Sequence, residues 1–486
     1  MKNIKLLCLI SLFFAASCQK SIDIEPEYSV GESLAFQNIN DVEAGLAGVY
    51  AGMRSSGYYG RNLSVLPDMM SDNMKESNES IAERRRMTDW LYTSDDGTVA
   101  STWVTCYSII SDANNLLDQL ARFESAENQK QANKIKGQLL AVRGLVHFDL
   151  LRMFADNYDR NSNDLGVAIM LKSGLKDPFA RPARATVKAS YDQIYSDLET
   201  ATTLLRSVDK PINTAKDRNK IDDIGVSAIL GRVSLYAKQY DLAIKYSSEV
   251  IKARPLADDF DFPFMWEDNG VEEVAWSLYF GTGEGSRLAV DCFSQGINRA
   301  QFDMSPEVVS LYGKNDGDRF KDIRFANYVT GELPDIANEP RKGRYIATKY
   351  NKKSTTTTAD GIVNFKAFRT GEQVLIRAEA YALSGKDGLA LADLNALRST
   401  RIEDVTEGKE SGTALLVAIA TERRKELWLE GHRFFDLKRS IRTVNRQDCT
   451  APTTACALDA KDFHWTFPIP LSEINANANM VQNKGY

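Results

Sequence analysis

The sequence predicts an all-α body of stacked helix pairs, opened by one long irregular insertion, and three stretches predict it. Residues 230–255 match the tetratricopeptide pattern in register, with Leu230 and Gly231 in a first helix, Ala243 where the second helix crosses it, and Pro255 as terminator. Residues 377–398 repeat the pattern through Tyr381, Gly385, Ala390, Leu394 and Leu397. Residues 139–154 read as another first helix, whose partner at 187–205 follows a loop holding Pro178 and Pro182. Small residues at the crossings let paired helices approach, and stacking buries the apolar face that one pair cannot cover alone.

At the N-terminus, residues 1–5 are basic, 6–16 are apolar, and Ala15, Ala16, Ser17 and Cys18 form a small-residue run ending in cysteine. That pattern is a cleavable export signal over 1–17, too short to span a bilayer. It has the form of a lipoprotein leader, after which Cys18 becomes the acylated first residue of the mature chain; ordinary secretion with Cys18 left over is the alternative. Residues 18–36, with Asp23, Glu25, Pro26 and Glu27, read as an acidic flexible tether, and 37–486 as the folded body. No later window is apolar for long enough to cross a membrane, so attachment is expected through lipid.

The first body helix is expected over 40–53, with Asn40 or Asp41 as N-cap and Val42, Leu46, Val49 and Tyr50 on its buried face. A loop at 55–62 carries Tyr58 and Tyr59 between glycines, and 72–96 is polar and irregular, with three arginines at 84–86 before Trp90 and Tyr92. From Trp103 through Tyr107, Ile110, Asn114 and Leu117 the spacing is helical, which places Trp103 in the core. Repeat helices then occupy about 135–255 and 371–440, separated by an insertion over about 256–370. The insertion has Gly281, Gly283 and Gly285 near Trp266, Trp276, Tyr279 and Phe280, then a threonine-rich tract at 354–358. Trp276 alternates with Val274 and Leu278 as a buried strand would. A tail follows at 441–486.

Residues 421–439 read as one helix that mixes charge into its apolar stripe. Leu416, Ile419, Leu427, Phe434 and Leu437 share a face with Arg423 and Glu430. Buried charges persist only when paired, so Glu430 is expected to pair with Arg423 and Arg433 and to hold the C-terminal tail. Gly431 in mid-helix points to the close approach of another backbone or a large ring.

Composition excludes several functions. The 26% charged and 43% hydrophobic content is that of an ordinary globular chain, and removing 1–17 with Lys2 and Lys5 takes the net charge from −6 to −8. An acidic excess argues against nucleic acid and against a polybasic membrane patch. With three histidines and no Cys-x-x-Cys, zinc is not expected, and no cofactor motif is present. Glu422, Glu426 and Glu430 stand side by side on one helix instead of facing each other across a cleft, so ion pairing explains them better than catalysis. The acidic runs at 258–261 and 315–318 lack the terminal Glu of a calcium loop and read as turns and caps. Cys449 and Cys456 bracket a short turn-prone segment that a disulfide could close, whereas Cys106 and Cys292 could be bonded or buried thiols.

Several motifs carry a resemblance. Glu-Arg-Arg-Lys-Glu-Leu at 422–427, Glu-Gly-His-Arg at 430–433, Asp-Leu-Lys-Arg at 436–439, Phe-Pro-Ile-Pro at 467–470 and the terminal Gln-Asn-Lys-Gly-Tyr resemble the SusD/RagB family. The resemblance implies a tetratricopeptide-repeat helical scaffold with an irregular, partly β ligand-binding insertion. It also implies a lipid-anchored outer-membrane protein facing the exterior, which captures a nutrient, an oligosaccharide above all, for a partner TonB-dependent transporter. Peptide capture is the alternative within the family, and a repeat scaffold holding protein partners is the alternative outside it. A flat ring offers an apolar face to the C–H face of a sugar, so aromatics in polar loops are the candidate ligand contacts: Trp90 and Trp266 first, then Tyr58, Tyr59 and Tyr279. Capping of a satellite core is the competing role for Trp90 and for Trp266.

Overall fold

The first helix, α1 (Ile39–Met53), begins one residue before the expected start because Asn38, and not Asn40 or Asp41, caps it. The Asn38 side chain accepts the Asn40 N–H at 2.9 Å, and Asp41 reaches back to the Asn38 N–H at 3.0 Å, a reciprocal box that satisfies amides the helix cannot. Val42, Leu46, Val49 and Met53 form its buried stripe. This computed structural model describes residues 35–173, 179–209, 211–281, 288, 292–294, 299–313, 320–331, 343–357, 361–447, 449 and 455–486. The leader with Cys18, the tether to residue 34, Pro178, Gly283, Gly285, residues 315–318 and Thr358 lie outside them.

Helices α2 (Gly97–Phe123), α3 (Gln129–Phe154), α4 (Val187–Arg206), α5 (Asp223–Tyr236), α6 (Tyr240–Ala253), α7 (Thr370–Leu383), α8 (Asp387–Ser399) and α9 (Gly412–Glu426) continue the stack. α3 packs on α4, α5 on α6 and α7 on α8, while α6 and α7 meet across the insertion. Trp103 is buried on α2, as the spacing requires. Ala243 packs with Leu235, Ile376 and Ala380, so the small residue at the predicted crossing joins two repeats. At Gly231 an added Cβ would stand 2.4 Å from Gln373 Oε1 and 3.0 Å from Ser247 Oγ, so a larger residue would have to displace the Gln373 amide that bonds Ser247 between α5, α6 and α7.

The insertion supplies all but the first of the short strands described next. β1 (Met74–Glu76), β3 (Phe302–Met304), β5 (Ile346–Ala347) and β4 (Val329–Thr330) make one antiparallel sheet in that order, with Met74 opposite Met304 and Val329 opposite Ala347. β2 (Val274–Leu278) pairs with β6 (Phe365–Arg369), placing Trp276 opposite Phe368 in a fully buried strand. Asp258 closes a turn ahead of the short helix Asp261–Trp266: its carboxylate accepts the N–H groups of Phe260 and Asp261 at 3.1 and 2.8 Å. Cys449 and Cys456 are disulfide-bonded, with Cα atoms 5.3 Å apart, and Cys106 and Cys292 are buried.

The long helix expected over 421–439 is two helices. α9 stops at Glu426, residues 427–432 turn through Leu429 at φ +61° and Gly431 at φ +80°, and a short helix follows at Arg433–Arg439. The cause lies far away in the chain. A Cβ on Gly431 would sit 2.0 Å from the Leu63 carbonyl oxygen, so the glycine does mark a backbone approach, but at a break and not in mid-helix. Asp68, buried in the short helix Leu66–Met69, accepts the N–H groups of Leu429 and Gly431 at 3.0 and 3.1 Å and replaces the helical acceptors.

Candidate ligand-binding site

Beneath the insertion lies a buried ion network centred on Glu426. Its carboxylate accepts from Arg324 at 2.9 Å, from Arg401 at 3.2 Å and from Arg369. Glu273 bridges Arg369 and Arg401 at 2.9 and 2.5 Å, and Arg324 also grips Glu422 and Asp322 at 2.5 and 2.6 Å. These residues come from the insertion, the end of α8 and the end of α9, so the network fastens the insertion to the repeat body. Burial by itself would raise the Glu422 carboxyl, but Arg324, Lys425 and Arg398 outweigh it and hold the group at about 2.

Glu430 belongs to this network and not to the tail. It pairs with Arg369 at 2.8 Å and Lys349 at 2.6 Å, whereas Arg423 takes Asp436 at 3.1 Å and Arg433 takes Asp72 at 2.8 Å. The expected Glu430–Arg423–Arg433 cluster is therefore three separate pairs, because the break after α9 turns successive residues to different partners. Glu430 is held below the usual carboxylate range despite burial, by Arg369 and Lys349. Lys349 is drawn down to about 8, since burial outweighs Glu430, which Arg369 already shares. The tail is held instead by Arg184, which donates to Val481 O at 3.1 Å and Asn483 Oδ1 at 2.8 Å, and by Asn483, which donates to Phe154 O and Phe467 O at 2.9 and 2.7 Å.

Four of the five candidate ligand aromatics are core residues in this fold. Trp90 is 4% exposed, donates Nε1–H to Met70 O at 3.0 Å and lies under the Arg446 guanidinium at 4.4 Å. Trp266 is 3% exposed and is ringed by cations, with Lys349 4.2 Å and Arg369 5.5 Å from its centroid. Its ring is covered by cations of the ion network, which its electron-rich face attracts. Tyr58 and Tyr59 both donate to Asp149 Oδ2, at 2.5 and 2.9 Å, beneath the repeat helices. A signal for Trp266 existed, since Phe262, Met265 and Trp266 share one face of the short helix Asp261–Trp266. The partners of Trp90 and of the tyrosine pair are too distant in sequence to leave one.

Tyr279 is different, with 45% of its surface exposed just after β2. Its carbonyl accepts from Arg54 Nη1 at 3.0 Å, and the Lys353 ammonium sits 4.7 Å from its ring centroid. Lys353 also donates to Phe280 O at 2.6 Å, Asn364 Oδ1 accepts the Phe280 N–H at 2.9 Å, and Asp268 accepts from the Asn364 N–H at 2.9 Å and from Lys366 at 2.6 Å. Ser354 N–H donates to Glu267 O at 2.8 Å, which brings the hydroxyl-rich stretch 354–357 to the same rim. One ring thus stands at the surface among partly buried amide, ammonium and carboxylate groups. Such a plate can stack on an apolar ligand face while the rim hydrogen-bonds its edges. The sequence names Tyr279 as a candidate but gives no sign of Arg54, Asp268, Lys353 and Asn364, which join it only through folding. Among the described residues no cluster of His, Cys, Asp and Glu is arranged to hold a metal ion.

Comparison with known proteins places the chain. The model of the SusD family matches residues 323–486, and a second, described as starch-binding associating with outer membrane, matches 23–220. The chain belongs to the SusD/RagB family. The SusD-like protein P38 of Formosa agariphila is 23% identical over 91% of this chain and 92% of its own. The starch-binding protein SusD of Bacteroides thetaiotaomicron is 34% identical over a segment covering 24% of this chain and 21% of that relative. A crystal structure of a SusD superfamily protein from the same organism superposes with a TM-score of 0.80 at 25% identity, covering 92% of this chain and all of that one. The all-α, tetratricopeptide-type reading of this SusD-family chain therefore holds.

Proposed function

We propose that this SusD-family chain is a glycan-binding lipoprotein of the outer membrane, and that it captures oligosaccharide without catalysing a reaction and passes it to a TonB-dependent transporter. The observation that carries the reading is the exposed Tyr279 ring set among Lys353, Asn364, Asp268 and the hydroxyls of 354–357. The likeness to a starch-binding relative supports sugar as the ligand class. In this reading residues 256–370 present the ligand surface, Cys18 carries the lipid, and 18–36 tether the body to the membrane.

The test is retention of the mature chain in native gels containing soluble glycans, with a starch fragment as the first probe. Wild type should be retarded, and Tyr279→Ala should migrate as it does in a blank gel while keeping its melting temperature. Retardation unchanged in Tyr279→Ala would remove the ring from the site. Absence of retardation by every glycan tried, together with binding of peptides, would replace sugar with peptide as the ligand class.

A further inference from the structure

Asp268, two residues past the short helix Asp261–Trp266, takes a left-handed backbone at φ +55°, which costs a residue with a side chain free energy that glycine avoids. Residues kept in such conformations are over-determined by their surroundings and gather at ligand sites. Here the surroundings are the partners of one carboxylate. Oδ2 accepts the Asn364 N–H at 2.9 Å and stands 3.5 Å from the Lys353 ammonium, while Oδ1 accepts from Lys366 at 2.6 Å. Lys366 in turn donates to Asn364 O at 3.0 Å.

Two of these partners close on the residue next to Tyr279. Asn364 Oδ1 accepts the Phe280 N–H at 2.9 Å, and Lys353 donates to Phe280 O at 2.6 Å and to Asn364 Oδ1 at 3.4 Å. Both backbone groups of Phe280 therefore hang on side chains that Asp268 gathers. The same Lys353 ammonium lies over the Tyr279 ring, 4.7 Å from its centroid. Asp268 thus reaches the ring through Lys353 and Asn364. Arg54 holds the Tyr279 carbonyl separately at 3.0 Å, so the end of β2 keeps an anchor that does not depend on Asp268.

We propose that Asp268 is a positioning residue for the ligand plate: it sets Lys353 against one face of the Tyr279 ring and fixes the backbone behind it, so that a sugar stacks on the opposite face. This rests on the glycan reading of the Tyr279 rim. A ring already ordered before the ligand arrives spares the binding step the free energy of ordering it. A turn-making role alone would be served by asparagine, which tolerates left-handed backbone and keeps an acceptor for the Asn364 N–H. The negative charge is needed to hold the two lysines.

The test compares the mature wild type, Asp268→Asn, Lys353→Met and the double variant, each with fluorotyrosine at position 279. Affinity gels with a starch fragment read binding, and fluorine NMR reads the ring. Each single variant should bind about three- to tenfold more weakly, and the double variant no more weakly than the weaker single one, because the two residues act in series. The fluorine resonance should lie apart from its position in urea in the wild type and move towards that position in both single variants. Asp268→Asn strands the buried Lys366 ammonium, so where it unfolds, Asp268→Asn with Lys366→Met takes its place. Wild-type affinity or an unmoved resonance in either folded single variant, or additive losses in the double variant, would each overturn the proposal and leave the glycan reading standing. If no glycan retards the wild type, the glycan reading fails, and the fluorine spectra still decide the positioning.

Discussion

Asp68 accepts the backbone N–H of Gly431 at 3.1 Å, and the Leu63 carbonyl beside it leaves no room for a side chain on that glycine. The chain between α9 and the short helix Arg433–Arg439 is thereby pinned to a loop far earlier in the sequence. Gly431→Ala should cost about 3 kcal/mol or more, combining the left-handed backbone penalty with a backbone clash that nothing flexible can relieve. Urea denaturation of the variant measures it. A loss below about 1 kcal/mol would mean the contact relaxes freely.

Glu430 is shared by Arg369 and Lys349, both buried. Glu430→Ala leaves two cations facing each other without their common carboxylate, and stability should fall by about 3–5 kcal/mol. Arg423→Ala should behave independently, because its partner is Asp436. A double mutant checks this, since additive losses are expected for separate pairs and a strong coupling would restore the cluster predicted from sequence.

The pH dependence has two opposing parts. His147 is buried, with Nδ1 at 3.0 Å from Arg143 O and Nε2 accepting the Met170 N–H at 3.3 Å, and burial lowers its pKa to about 4. Its folded value is depressed, so its contribution is complete above the unfolded value near 6.5 and is lost as pH falls from there towards 4, to a total of about 3 kcal/mol. Burial raises Asp68 to about 6, so its contribution runs the other way: complete below the ordinary 3.8 and lost as pH rises through 6. Between pH 4 and 6 the two should offset in the wild type. His147→Gln should then gain stability on acidification through that window and Asp68→Asn should lose it, as read by denaturant midpoints. Parallel curves for the three proteins would show that neither group titrates as its burial requires.

The aromatics separate on one pair of measurements. Trp90→Ala and Trp266→Ala should each lower stability by about 3–5 kcal/mol, the cost of truncating a packed indole. Tyr279→Ala should leave the melting curve within error and abolish glycan retention. A Trp266→Ala protein that melts like the wild type would refute the cation-ringed core role assigned to that indole.

The sequence by itself determined the repeat body. Periodic apolar residues and small residues such as Ala243 at crossings are local signals, and helix pairs are local structures, so each could be read within one window. Cys449 with Cys456 and the buried strand around Trp276 were legible for the same reason. Tertiary structure alone decided where α9 breaks, which carboxylate answers which arginine, and which rings reach the surface. The charged residues at 422–439 marked a buried network, but pairing depends on Arg324, Lys349 and Arg369, whose position opposite Glu426 and Glu430 follows from the insertion folding back on the repeats. A tryptophan in a polar loop has the same local sequence whether its ring faces solvent or a guanidinium. Trp90 and Trp266 were buried because Arg446 and Lys349 arrive from elsewhere in the chain, and Tyr279 stayed exposed because Lys353 covers only part of it. Burial is a property of all neighbours at once, and sequence spacing reports only the nearest few.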